Sequence, residues 1–168
     1  MVSGRRNKLT GQTGEYLVAA ELSRRGMITT TFTGNVPHFD LIACDEDGSQ
    51  VAIQVKAARS GSWQFSNINL FCEIEIANKQ QFIKKAKTAP VKRLIFILVK
   101  ITDEASLDRF YVLTWSELQE LVIEKYADLL KRNNGVRPRK WDSFHIAIKE
   151  RMLTPFRDRW QSVQAHLA

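Results

Sequence analysis

The chain has 168 residues, enough for one domain with a sizeable core and too few for two ordinary ones. Hydrophobic residues make up 44% and charged residues 26%, which excludes a disordered or fibrous chain, and the formal net charge of +7 favours polyanionic partners such as nucleic acid. Only Cys44 and Cys72 are present, which excludes a disulfide framework or zinc cluster, and no apolar stretch approaches a membrane span, so a soluble, reducing, cytoplasmic setting is the expectation.

The stretch "GQTGEYLVAAELSRRG", residues 11–26, predicts a first helix. Val18, Ala19 and Leu22 share one face, Arg24 and Arg25 fall in the last turn, and Gly26 can close it. Glu15 sits at the end of that apolar stripe, where it would also favour the helix dipole as an ordinary first-turn acid. "MITTTFTG" (27–34) predicts a strand. Next comes "HFDLIACDEDGSQVAIQVK" (38–56), which reads as a hairpin. With "EDG" as a three-residue loop and Gly48 left-handed, Asp45 faces Ser49 and Asp40 faces Gln54, with Lys56 next on that face. A two-residue loop would push Gln54 and Lys56 into the apolar face of Phe39, Leu41, Ala43, Val51, Ile53 and Val55, and is rejected on that ground.

Past Lys56, a Ser/Gly loop carries Arg59, Trp63 and Phe65. These groups suit stacking on unpaired bases or holding a phosphate, and a core role for both aromatics is an equal reading. "INLFCEIEIA" (68–77) alternates as a strand, 78–88 predicts a short basic helix, 94–101 a fully buried strand and 109–115 its neighbour. "SELQELVIEKYADLLKR" predicts an amphipathic helix with Ser116 as cap and Leu118, Leu121, Val122, Tyr126 and Leu129 on one side. A basic loop over 132–142 holds Arg137, Arg139 and Lys140, and Thr154-Pro155 begins a closing helix. Nine Lys and Arg residues lie between 131 and 160 against Asp142, Glu150 and Asp158, a pattern that serves equally as a solvated face or a binding surface. The order predicts an α/β chain with a central mixed β-sheet flanked by helices: one domain over 1–168, with a core over about 11–131 and a basic helical extension over about 132–168.

Asp40, Gln54 and Lys56 thus converge at one end of a hairpin that is otherwise apolar on both faces. They can form a simple charge pair with a hydrogen bond to Gln54, or a metal site, since carboxylate and amide oxygens suit Mg²⁺, which keeps waters for a phosphate substrate. His38, His145 and His166 show no metal-ligand spacing.

At this point "GEYLVAAELSRRGM", "HFDLIA" and "VAIQVKAAR" together resemble the catalytic core of the PD-(D/E)XK nuclease superfamily, the restriction-endonuclease-like fold (αβββαβ) that includes archaeal Holliday junction resolvases. The resemblance covers motifs over residues 11–60. It implies that Asp40 is the central metal-binding aspartate and Glu15 the helix acid near the metal. Gln54 would stand at the acidic position and Lys56 would be the motif lysine, with the backbone carbonyl of Val55 as a further ligand. It further implies Mg²⁺ or Mn²⁺, DNA as substrate, and a homodimer for cutting two strands. Arg59, Trp63, Arg137, Arg139 and Lys140 are the nucleic-acid contacts expected with it. Two positions depart from the motif: His38-Phe39 precede the aspartate in place of proline, and Gln54 replaces an acid and so supplies no charge. An inactive nucleic-acid-binding module, or an immunity or regulatory protein, is the competing reading.

Overall fold

The structure, a computed structural model, describes residues 2–32 and 36–167. Helix α1 runs Val2–Ser23, starting well upstream of the predicted residue 11. Residues 4–9 are all exposed, so no apolar period marks that extension. Gly26, at φ +82°, closes the turn after the helix. The strands are β1 (Ile28–Thr31), β2 (Leu41–Cys44), β3 (Gln50–Ala58), β4 (Ser62–Phe65), β5 (Cys72–Ala77), β6 (Gln80–Ala86), β7 (Ile95–Lys100), β8 (Arg109–Thr114) and β9 (Ile146–Lys149). Helix α2 spans Trp115–Arg132 and the short α3 Gln161–Gln164.

The chain divides into two compact units, residues 1–63, 90–115 and 149–168 in one, and 64–89 and 116–148 in the other. The first is built on a five-stranded mixed sheet in the order β1-β2-β3-β7-β8, with β3 and β7 parallel and the other neighbours antiparallel. Five consecutive residues of β7, Ile95 to Val99, are buried, as a central strand covered on both faces requires. Val18 and Leu22 of α1 pack with Leu41, Ala43, Val51, Ile53, Ile97 and Val112 from one face of the sheet, and Trp160 and Val163 join the same cluster. Each fully buried Val, Leu or Ile side chain of this cluster contributes about 1.5–3 kcal/mol. The predicted hairpin register is the observed one: Leu41 pairs with Ile53 and Ala43 with Val51, Asp45 N–H donates to Ser49 O at 3.1 Å, and Gly48 has φ +84°.

In the second unit, the predicted helix over 78–88 is instead a turn followed by strand β6, Gln80–Ala86. β6 pairs antiparallel with β5, leaving Asn78 and Lys79, both at positive φ, as a two-residue turn. That turn geometry commits the flanking residues to a ladder, overriding the helical leaning of a lysine-rich stretch. Residues 68–70 are a 3₁₀ turn capped by the Asn67 side chain on Asn69 N–H, so the strand begins only at Cys72. The stripe of α2 consists of Leu118, Val122, Tyr126 and Leu130. Gln81, 2% exposed, donates to the carbonyls of Trp141 and Ser143 and accepts from Tyr126 Oη, which satisfies its buried amide. β4, read as loop from the sequence, pairs with β9. Among the described residues no helix is long and apolar enough to cross a membrane.

The predicted closing helix is broken into a 3₁₀ turn, Thr154–Phe156, and α3. Between them Asp158 adopts φ +52° and donates its N–H to Phe110 O at 2.9 Å, while Arg157 bridges Tyr111. Edge pairing to β8 wins over helix propagation there. Just upstream, Glu150 accepts from Lys100 Nζ at 2.7 Å, Arg109 at 2.8 Å and Tyr111 Oη at 2.7 Å. Burial raises its pKa, but the three donors outweigh this and hold the carboxyl at about 2. A depressed carboxyl stabilises the fold above its usual value and loses that contribution as pH falls. Glu150→Gln is therefore expected to be less stable than the parent at pH 7 by about 1–3 kcal/mol. The gap should shrink as pH drops from 4.5 toward 2. Urea titrations at several pH values measure it, and a gap independent of pH contradicts the charge network.

Candidate active site

Beyond Leu41 strand β2 ends while β3 continues, so β3 runs on without a strand on that side. Asp40 fills the gap. Its own N–H donates to Ile53 O at 2.8 Å, and its Oδ2 accepts from Val55 N–H at 2.7 Å and from Gln54 Nε2 at 2.5 Å. The carboxylate thus stands in for the missing ladder partner of Val55.

Gln54 and Lys56 share a face of β3, two residues apart, and Asp40 joins them there, as the hairpin register predicts. Burial pushes the Asp40 pKa up, against the Val55 N–H, the Lys56 charge and the Gln54 amide that lower it. Burial likewise lowers the Lys56 ammonium, with the Asp40 charge opposing. Glu15, half-buried on α1, is raised by burial and then by the charge of Asp40, which brings it into the same electrostatic neighbourhood. All three titratable groups are displaced toward their neutral forms, a pattern that concentrates at functional sites.

What brings α1 so close is Gly14, a residue the sequence reading passed over. A Cβ placed there would lie 2.5 Å from Ala57 Cβ and 3.4 Å from Val55 Cγ1. A glycine inside an amphipathic helix was the available signal. His38 has φ +75°, and a proline at 39 would force residue 38 into the extended region. Phe39 therefore suits this backbone where the motif's proline does not, and it packs edge-on against Phe32 at 5.5 Å.

The remaining predicted residues are placed differently. Trp63 and Phe65 are 2% and 3% exposed, which leaves neither face of Trp63 open for stacking on a base and settles both as core. Arg59 is exposed and pairs with Asp103 at 3.1 Å. Arg137 donates to His145 O at 2.7 Å and lies over the Tyr126 ring, so it ties its own loop. Arg139 and Lys140 are exposed, with Lys140 3.5 Å from Asp142. Those three belong to the second unit, while Glu15, Asp40, Gln54, Lys56 and Arg59 belong to the first.

No group of three His, Cys, Asp or Glu residues capable of holding a metal occurs among the described residues. The donor set here is instead two carboxylates, Asp40 and Glu15, with the Gln54 amide and the backbone at Val55. It fits a hard cation such as Mg²⁺, which takes few protein oxygens and keeps several waters.

No family model matches the chain, and no curated protein matches it. Among solved structures, a bacterial homing endonuclease superposes with a TM-score of 0.47 at 15% identity, over 92% of this chain and 90% of that one.

Gly14→Ala is expected to push α1 off β3, because the clashing atom is a backbone-anchored Cβ that cannot swing aside. Overpacking of this kind costs about 1–3 kcal/mol. Thermal unfolding measures it, and an unchanged midpoint would show that the helix approaches less closely than described.

Proposed function

We propose that the protein is a metal-dependent nuclease that hydrolyses phosphodiester bonds in DNA. The observation that carries this reading is the grouping of Gln54 and Lys56 with Asp40, whose charge also reaches Glu15 on α1, with each titratable member shifted toward neutrality. A bound Mg²⁺ or Mn²⁺ would polarise the scissile phosphate and acidify its water. Asp40, its Oδ2 fixed by Val55 N–H and Gln54, would turn Oδ1 toward the cation, and Glu15 would add the second charge, directly or through water. Strand geometry puts the Val55 carbonyl on the same edge as its N–H, where it can serve as a further ligand. Lys56, biased by burial toward the neutral amine, would orient the attacking water and accept its proton. In-line attack then expels the 3′ oxygen. The exposed Arg59, Arg139 and Lys140 suit contact with the DNA backbone, and a homodimer would supply two such centres for two strands. The whole chain is read as one functional domain with a basic C-terminal extension.

A second reading is favoured by one observation: Gln54 is neutral and spends its amide N–H on Asp40. On that reading the centre is a closed polar cluster, and the chain is an inactive nucleic-acid-binding or protein-interaction module of an immunity or regulatory kind.

Cleavage of a panel of duplex, single-stranded, flap and four-way-junction DNA with Mg²⁺, Mn²⁺ or EDTA separates the two. Asp40→Ala and Lys56→Ala are each expected to lower metal-dependent cleavage by at least about a hundredfold while remaining folded. Cleavage that persists in both purified variants would sink the nuclease assignment.

Gln54→Glu tests the cation separately. A third carboxylate beside Asp40 and Glu15 raises repulsion, so the midpoint in EDTA should fall by several degrees, equivalent to about 1–2 kcal/mol. Mg²⁺ should restore it by binding the folded state. A variant whose midpoint ignores Mg²⁺ argues against a metal at this position.

A further inference from the structure

A second polar centre lies on the same sheet as Lys56 and takes no part in the chemistry above. Arg109, Tyr111, Glu150, Arg151, Thr154 and Arg157 line a cavity of about 320 Å³. Its floor is built: the Glu150 carboxylate is held by Lys100, Arg109 and Tyr111, and the Glu150 N–H donates to Gly61 O at 2.9 Å. Gly61, at φ +66°, leaves no room for a side chain, since a Cβ would sit 2.8 Å from Glu150 Oε2. The loop leaving β3 is thereby pinned to the cavity wall.

Charge at this floor and rim is unbalanced. Glu150 answers Lys100 and Arg109 together, and Asp158 lies 3.4 Å from Arg157. Arg151 is exposed and makes no ion pair among the described residues. Four cations thus meet two carboxylates, and the surplus sits at the rim beside the Thr154 hydroxyl. Guanidinium groups beside a hydroxyl match the oxygens of a phosphate.

Register fixes where this cavity stands. Lys56 pairs with Leu98 and Leu98 with Tyr111, while Ala58 pairs with Lys100 and Lys100 with Arg109. Paired residues share a face, so Lys56, Tyr111, Lys100 and Arg109 all project from one side of the sheet, opposite the side on which α1 packs. Two strand spacings separate the Lys56 and Tyr111 backbones, about 10 Å. That is the length of about three stacked nucleotides at their 3.4 Å rise. Both sets of residues also lie toward the carboxyl ends of the parallel strands β3 and β7, where ligands of open α/β sheets gather.

We propose that this cavity is a phosphate subsite for a nucleic-acid backbone, holding a phosphodiester a few nucleotides from the one presented to Lys56. The proposal rests on the nucleic-acid reading of the Asp40 site for its ligand, and not on cleavage. Arg151 and Arg157 grip the phosphate at the rim, and Arg109 is oriented by Glu150 beneath them.

The test is fluorescence anisotropy of the full chain with labelled duplex and single-stranded oligonucleotides, in EDTA, over a salt series. Arg151→Ala with Arg157→Ala is expected to weaken binding about tenfold or more and to make the log–log salt slope shallower by about 2, one unit per lost contact. Arg24→Ala, which removes one exposed cation from the far side of the sheet, should leave the slope near that of the parent, and Arg151→Lys should keep most of it. A slope in the double variant equal to that of Arg24→Ala overturns the subsite, as does a parent chain that binds no nucleic acid. Loss of inorganic phosphate binding with unaltered oligonucleotide binding would make the cavity a site for free phosphate and overturn it too. DNA that is held through this cavity but never cut refutes the nuclease reading and leaves the subsite standing.

Discussion

The candidate site depends on one hydrogen bond, from the backbone N–H of Val55 to Oδ2 of Asp40. Where β2 stops, β3 would otherwise expose an unpaired donor inside a half-buried edge, at a cost of about 1–3 kcal/mol. A side-chain carboxylate repairs the ladder and in doing so is itself fixed in place, with one oxygen committed and Gln54 donating to the same atom. The break in the sheet and the site are therefore a single feature. Moving the end of β2 by one residue would place an apolar side chain at the gap and lose both.

Two ionic centres on this unit resolve burial in opposite ways. Glu150 has three donors, two of them charged, and burial loses: its carboxyl is held at about 2. Asp40 has two hydrogen bonds and a lysine nearby, yet burial wins and its pKa rises. Lys56 and Glu15 are displaced in the same sense, each toward neutrality. Glu150 is thus held charged by its donors, while the surroundings of Asp40, Glu15 and Lys56 favour their neutral forms.

The hairpin was legible in the sequence because one register alone keeps six apolar side chains on one face, and the three-residue loop with Gly48 fixes that register. The buried stripe of α1 and the run of β7 were legible for the same reason. β6 was not, because Asn78 and Lys79 reverse the chain through backbone conformations that a lysine-rich stretch does not advertise. Glu150 was invisible as a partner because its contacts lie 39 to 50 residues away in sequence, amid cations that read as a solvated surface. Gly14 carries no side chain to enter any period, and its role appears only once the strand it meets is in place.

The two departures from the nuclease motif have different physical standing. The lack of proline at 39 follows from the path of the chain, since His38 enters the site at φ +75°, a conformation that a following proline disfavours. Gln54 is not compelled: its role is electrostatic. At 2.5 Å from Asp40 Oδ2 it offers a proton donor, which a carboxylate at the same position could do only when protonated. Two facing carboxylates would need a shared proton or a cation to coexist there. Glutamine therefore lets the site close on itself with no metal bound, and any cation that enters must compete with that internal bond for the geometry of Asp40. The exchange removes one negative charge from beside Asp40 and puts a hydrogen-bond donor in its place.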